Sequence, residues 1–241
     1  MELSRRLSAV AALIGECNTM ADIGTDHGYI PIYLVEQKKV NRAIAMDIGK
    51  GPLQRAREHV KLHQLDEYIE LRLSDGAKEL MPGEIQEAVI AGMGGRLMMK
   101  IIGESECIFR NLQAFVIQPQ SEYGYVRHYL EEHGYAILKE NMVKEDGKYY
   151  PMMRVRSGTM HLEQPCFYQY GEFLLKEKNM VLYEYLIKEQ KNYEKIKNNL
   201  HQGITKKQKQ RLLELDEMII TNQTALEYFR TGQKKACTQC L

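Results

Sequence analysis

The sequence predicts an α/β protein: a mostly parallel sheet closed by an antiparallel hairpin, followed by a small C-terminal unit of paired helices. Three observations carry this. From Thr19 to Ser157 short apolar runs alternate with helical segments. After Gly134 two long strand-like runs meet at Glu145-Asp146-Gly147. Past about residue 160 only helical periodicity remains. Strand–helix–strand alternation at this spacing implies parallel pairing with helices on both faces, because a parallel crossover needs roughly a dozen residues or more.

Each element follows from its own residues. MELSRRLSAVAALIGEC places Leu3, Leu7, Val10, Leu13 and Ile14 on one helical face. Its apolar stretch is short and interrupted by Ser8, so it reads as a first helix rather than a leader peptide. The runs TMADIG (19–24), RAIAMDI (42–48), YIELRLSD (68–75), EAVIAGM (87–93) and AFVIQP (114–119) read as buried strands. Between them YIPIYLVEQKK, GPLQRAREHVKLHQL, GRLMMKIIGES and YGYVRHYLEEHG read as helices. YAILKENMVKEDGKYYPMMRVRS reads as a hairpin turning on Asp146-Gly147.

Beyond it, FLLKEKNMVLYEYLIKEQKNYEKIKNNL reads as one amphipathic helix, with Phe173, Leu174, Val181, Tyr185, Ile196 and Leu200 on its seam. TKKQKQRLLELDEMIITNQTALEYF reads as a second, separated from the first by Gly203 and the N-cap Thr205. A short turn between two long helices favours antiparallel packing. The boundary is expected near Ser157-Gly158-Thr159, giving a cofactor-binding domain over 1–158 and a helical domain over 159–241.

The 241 residues, 44% hydrophobic and 27% charged, suffice for one packed α/β domain and a smaller appendage. A net charge of +1 offers no global attraction to nucleic acid or membrane, so any polyanion must meet a local patch. No window approaches the run of about 18 apolar residues that spans a bilayer. Five cysteines, Cys17, Cys107, Cys166, Cys237 and Cys240, are odd in number and suit a reducing cytoplasm. Cys237 and Cys240 form a CxxC with no second ligand pair, so no metal is expected.

The chemistry concentrates in ADIGTDHGYIP (21–31). In a sheet of this kind ligands bind outside the carboxyl ends of the strands, where strand order reverses, and the loop 24–28 follows the first strand. Gly24 and Gly28 permit a tight turn, yet Asp22 and Asp26 are wrong for a pyrophosphate, which wants amide N–H groups and no added negative charge. They suit a ligand with a cationic, amino-acid-like end. S-adenosylmethionine, with its sulfonium and α-ammonium, fits. Further strand ends agree: Asp47 closes the second, 25 residues beyond Asp22, where a carboxylate accepts from ribose hydroxyls. Asp75-Gly76 closes the third, where a carboxylate suits the adenine amino group, and Ala91-Gly92-Met93-Gly94-Gly95 leaves room for two ligands to meet.

With DIGTDHGYIP, DI-x-x-GPL at 47–53, SDG at 74–76, AGMGG at 91–95 and IQP at 117–119, the chain resembles the bacterial tRNA (adenine-N1)-methyltransferases that modify adenine 22. The resemblance extends to LSRRL at 3–7, the EDGKYYP hairpin and the C-terminal helical pair. It implies a Rossmann-like class I methyltransferase sheet with a coiled-coil-like helical domain. It also implies that Asp22, Gly24, Thr25, Asp26, Gly28, Asp47, Ile48, Asp75, Gly76, Ala91, Gly92 and Met93 hold S-adenosylmethionine. Where many members read QPN, this chain has Gln118-Pro119-Gln120, which retains an amide.

Methyl transfer to N1 of neutral adenine requires positioning and no prior deprotonation, because N1 carries a lone pair and no proton. Asp26, with main-chain carbonyls near Gly92 and Gln118, suits the positive charge that develops on the ring, and His27 or Tyr29 suits stacking on it. The base must leave its stack, so phosphate contacts elsewhere have to offset that cost. Between Lys191 and Arg211 the chain places Lys191, Lys195, Lys197, Lys206, Lys207, Lys209 and Arg211 against the single acid Glu194, and Arg5, Arg6, Arg96 and Lys100 suit a rim at the site. The expected partner is therefore tRNA, with no membrane and no metal, for a monomer or weak dimer. Two other classes fit less well: a NAD-dependent oxidoreductase, which the acidic loop disfavours, and a cofactor-binding RNA-binding protein without turnover. A methyltransferase of another RNA, a protein or a small molecule is also compatible with the residues.

Overall fold

Seven strands, β1 (Cys17–Ile23), β2 (Val40–Asp47), β3 (Ile69–Leu73), β4 (Glu87–Met93), β5 (Ala114–Pro119), β6 (Tyr135–Glu145) and β7 (Lys148–Ser157), form one sheet in the order β3-β2-β1-β4-β5-β7-β6. The coordinates are a computed structural model and describe residues 1–200 and 206–230, apart from the side chains of 199, 200 and 206–209. Pairing from β3 through β5 is parallel, and β7 runs antiparallel to both β5 and β6. Strand order reverses beside β1, whose Asp22 lies level with Ala45 of β2 and Val89 of β4. That reversal opens the crevice.

The expected α/β sheet is present, and its boundaries follow burial. Every residue of β5 is buried, so its apolar run ends where the strand ends. The β6–β7 hairpin turns on Asp146 and Gly147, both at positive φ (48° and 73°), the geometry of a type I′ turn. Two strands end earlier than the sequence suggests. The second strand stops at Asp47, which leaves Ile48 outside it. The third stops at Leu73, because Ser74 turns the chain: its N–H donates to the Asp47 carbonyl (2.9 Å) and its hydroxyl to the Gly76 carbonyl (2.9 Å).

Helices α1 (Arg5–Leu13), α2 (Tyr29–Glu36), α3 (Lys50–Leu62), α4 (Gly95–Glu104), α5 (Glu106–Phe109) and α6 (Tyr123–Glu132) complete the first unit, Met1–His161. Helix α1 starts at Ser4, whose hydroxyl accepts from the Leu7 N–H, and Glu145 of β6 accepts from the Arg6 N–H at 3.0 Å. Val10, Leu13 and Ile14 sink into the core beside Met20 and Val89. At ~25 cal/mol per Å2 of apolar surface, three such side chains supply several kcal/mol that fix the helix against the sheet. The chain stays with this unit past Ser157, since His161 pairs with Glu131 at 3.1 Å. The division at His161/Leu162 is therefore three residues beyond the expected 158/159.

The second unit contains α7 (Pro165–Tyr170), α8 (Glu172–Lys176), α9 (Met180–Leu200) and α10 (Lys206–Arg230). The single helix expected over 173–200 is broken. Lys178 takes a left-handed φ of 55°, and Asn179 Oδ1 caps a new helix by accepting from the N–H groups of Val181 (3.0 Å) and Leu182 (3.1 Å). The seam also shifts: Leu182, Leu186 and Tyr193 are buried, whereas Ile196 is exposed. Helices α9 and α10 pair antiparallel. The ring of Tyr183 meets Phe229, the Leu186 carbonyl accepts from Asn222, and Lys197 pairs with Asp216, so residue numbers fall on one helix as they rise on the other. The Gly203 turn, the Thr205 cap, the Cys237–Cys240 pair and the Leu200 side chain lie outside the described residues.

Candidate functional site

A cavity of about 340 Å3 lies over the carboxyl ends of β1, β2 and β4, at the reversal of strand order. Its floor is Asp22, its walls are the loop from Gly24 to His27, Asp47 and the segment Ala91–Met93, and Arg6 and Leu7 of α1 cover one side. Tyr29, Ile30 and Gln120 complete it. Such a volume matches small-ligand and cofactor pockets, which begin at roughly 300 Å3.

Gly92 explains how β4 opens this space. Ala91 pairs with Gln118 and Met93 with Pro119, so Gly92 is an extra residue in the strand, held at a φ of +79° that a side chain disfavours. At Gly92 itself the bulge presents only main chain to the cavity wall. Across from it a Cβ on Gly24 would fall 2.0 Å from the Met93 methyl, so the glycine makes room for Met93 at the same wall.

Asp22 is 4% exposed and sits at the sheet's carboxyl edge with no cationic partner among the described residues. Thr25 Oγ1 donates to its Oδ2 at 2.6 Å. Burial pushes its carboxyl up to about 7; the Thr25 hydrogen bond opposes that shift and the Asp47 charge adds to it. A buried carboxylate in this state is stabilised by a cation delivered with a ligand. Asp47, at the end of β2, accepts from the Gly49 N–H at 2.7 Å through Oδ1 and faces the same cavity. The residues fit a cofactor with an ammonium or sulfonium at one end and vicinal hydroxyls at the other.

The loop itself is tied to β2, since the N–H groups of Gly24 and Thr25 both donate to the Met46 carbonyl, at 2.8 and 2.9 Å. Asp26 follows with a left-handed φ of 49°. It is half exposed and lies 2.5 Å from the Arg55 guanidinium and 3.4 Å from His27 Nε2, so its charge is not free as the sequence suggested. The rings of His27, Tyr29 and His59 lie within 5.0–5.5 Å of one another, with interplanar angles of 5–23°. His59 Nδ1 donates to the His27 carbonyl at 2.8 Å. Arg55 and His59 were not singled out from the sequence. Both come from α3, about 30 residues from the loop, and no spacing signal links them to it.

Several expected residues lie elsewhere. Gln118 is fully buried: its Oε1 accepts from Arg6 Nη1 at 2.9 Å, its Nε2 donates to the Pro119 carbonyl, and the cavity amide is that of Gln120 instead. Asp75 projects into solvent and pairs with Lys78, because β3 ends early and the turn at Ser74 carries Asp75 past the edge. Ile48 is 70% exposed. Gly28 and Gly76 lie outside the lining; the first begins α2 and the second packs against Ile101. Among the described residues Arg6 is the one expected RNA-contacting residue in the cavity, held by Gln118 and by the ring of Tyr150, 5.5 Å away. Arg5 is exposed, and Arg96 pairs with Glu122 at 2.6 Å. In the helical unit Lys197 pairs with Asp216 and Arg211 with Glu214, while the side chains of Lys206, Lys207 and Lys209 lie outside the described residues. Among the described residues no group of three or more His, Cys, Asp or Glu could hold a metal, and no helix is long and apolar enough to cross a membrane.

Residues 3–153 match the model of a methyltransferase domain. The tRNA (adenine(22)-N(1))-methyltransferase of Bacillus subtilis is 33% identical over 221 residues, which cover 89% of this chain and 93% of that protein. The chain belongs to this methyltransferase family. Two solved members extend the comparison to ligand-bound states. A Streptococcus pneumoniae protein in complex with S-adenosyl-L-methionine matches with a TM-score of 0.83 and 32% identity over 93% of this chain and all of that one. The M. capricolum TrmK complex with the cofactor product S-adenosyl-homocysteine matches with a TM-score of 0.81 and 29% identity over 95% and 99% of the two chains. The sheet of this chain matches those of the solved members, and C-terminal helices follow it.

Proposed function

We propose that this protein transfers the methyl group of S-adenosylmethionine to N1 of adenine 22 in tRNA. The observation that carries the reading is the buried Asp22 carboxyl, without a cationic partner among the described residues, beneath a cavity walled by the Gly92 bulge, in a chain of this family. Asp22 receives the cationic amino-acid end of the cofactor, and Asp47 accepts from its ribose hydroxyls. The bound cofactor supplies an electrophilic methyl group on a sulfonium. The side-chain-free wall at Gly92 would leave room for a base beside the bound cofactor, with Arg6 and Gln120 bordering that space.

No residue has to remove a proton, because N1 of adenine attacks with its lone pair. The ring gains the positive charge that sulfur loses. Asp26 lies on the entry side, where its carboxylate favours that charge even with Arg55 against it, and the faces of His27 and Tyr29 hold the ring for in-line attack. The base has to be turned out of its stack, at a cost of a few kcal/mol, which binding along the rest of the tRNA offsets. The reading carries with it a cytoplasmic location and a monomer or weak dimer, which sedimentation at working concentration checks.

The test is methyl transfer from labelled S-adenosylmethionine to unmodified tRNA, followed by nucleoside analysis. Labelled 1-methyladenosine is expected, and it should vanish when adenine 22 is replaced by guanine. Asp26→Ala should retain cofactor binding and lose most of the label. Cofactor binding with no labelled tRNA of any kind would overturn the substrate assignment.

A further inference from the structure

A second cavity, of about 420 Å3, lies in the groove between α4 and α6. Arg96 and Met99 of α4, Glu122 of the β5–α6 loop, and Tyr125, His128, Tyr129 and Glu132 of α6 line it. The two cavities share their supports. The loop after β4 starts with Met93 in the first and reaches Arg96 in the second; the loop after β5 starts with Gln120 in the first and reaches Glu122 in the second. These loops pack main chain to main chain, since a Cβ on Gly95 would lie 2.7 Å from the Ser121 carbonyl oxygen. The 93–96 and 120–122 segments therefore connect the two cavities.

The second cavity is built to hold something flat rather than something negative. Tyr125 is 72% exposed and makes no hydrogen bond or ring contact among the described residues. Glu122 is held in a left-handed conformation (φ 59°) that a non-glycine residue adopts at a cost, and it is locked there by the Arg96 N–H (3.0 Å) and guanidinium (2.6 Å). With Arg96 engaged by Glu122, and Glu132 also on the wall beside His128, the cavity favours a neutral ring over a phosphate. A neutral aromatic ring with exocyclic amino groups suits it: tyrosine offers a stacking face, and carboxylates accept from amines.

We infer that this cavity takes the base of a nucleotide flanking the target adenine in tRNA. The inference rests on the tRNA substrate proposed above. Turning the target out of its stack frees the face of a neighbouring base, and the covalent continuity of the strand delivers that base next to the transfer cavity. Stacking on Tyr125 replaces part of the stacking lost.

The test is a double-mutant cycle on tRNA affinity. Tyr125→Ala should weaken binding of unmodified tRNA roughly tenfold, the scale of one base–aromatic stack. Tyr125→Phe should bind as wild type, and S-adenosylmethionine affinity should not change in either variant. tRNA with an abasic residue on one side of the target should bind wild type about as weakly as intact tRNA binds Tyr125→Ala. The two changes together should produce no further loss. Multiplying losses, or wild-type affinity in Tyr125→Ala, would overturn the inference. Wild-type protein that methylates no tRNA would instead overturn the function on which it rests.

Discussion

Asp22 and Asp75 stand at the carboxyl ends of two strands of one sheet, and the same reasoning from sequence assigns both to the cofactor. Their surroundings differ in every physical respect. Asp22 lies on a central strand, covered by α1 and the 24–28 loop, 4% exposed and without a cationic neighbour among the described residues. Asp75 lies beyond the outermost strand, half exposed and paired with Lys78, which holds its carboxyl below the usual range. A carboxylate already served by water and a lysine gains little from a ligand, whereas a desolvated one gains much. Position in the strand order, more than residue type, separates a buried carboxylate from a surface charge.

Replacement of Asp22 should have the largest effect. Asp22→Asn removes the counter-charge for the cofactor's cationic end and should weaken S-adenosylmethionine binding about 100-fold or more by calorimetry, the scale of losing one partner from a buried pair. The same variant has an opposite effect on the ligand-free fold. Burial raises the folded carboxyl from 3.8 to about 7, so the native state keeps a proton that the unfolded chain has released. Wild-type stability should therefore fall as pH rises from about 4 to about 7, and remain lower above that window. Asp22→Asn should match wild type below it and melt higher above it. A difference in Tm that does not grow with pH would put Asp22 in contact with water and erase the contrast.

Asp47 tests the coupling within the buried side. Asp47→Asn should weaken cofactor binding about tenfold through its ribose contact, in the range of a hydrogen bond to a charged group. Because the Asp47 charge helps to raise the Asp22 carboxyl, its removal should also move the onset of cofactor binding to lower pH. Asp75→Ala should show the smallest effect, less than about threefold in cofactor affinity, as for a solvent-screened surface pair. A loss beyond tenfold would mean that the β3 edge closes over the ligand, and the two carboxylates would then be equivalent after all.

The legible parts of the fold are those where burial is uniform. EAVIAGM and AFVIQP are found as strands over the residues expected, because a fully buried strand is an unbroken apolar run bounded by its turns. The hairpin is legible in Asp146-Gly147, whose positive φ angles few other pairs adopt readily. The long C-terminal helix was misread because helical periodicity continues through Lys178-Asn179 even though the backbone does not. Its seam was misread by one position at Val181 and Tyr185, since the register of Leu182 and Leu186 is set by α10, through contacts such as Asn222 with the Leu186 carbonyl.

Within the site, the residues of the 22–27 loop and the 91–93 bulge are contiguous and could be read together. Gln118 could not be distinguished from Gln120, because which of two residues faces the cavity depends on the strand's pairing and on where Arg6 arrives from α1. Arg55 and His59 had no signal at all.

By itself the sequence determined the order of the strands, the sheet class, the family and the place of the acidic loop, since periodicity, turn chemistry and charge type are local properties. Only the tertiary structure decided which strand-end carboxylate is buried, which amide faces the cavity, and that α3 sends Arg55 and His59 to the loop. Those outcomes depend on desolvation and on contacts between distant segments, and neither exists until the chain has packed.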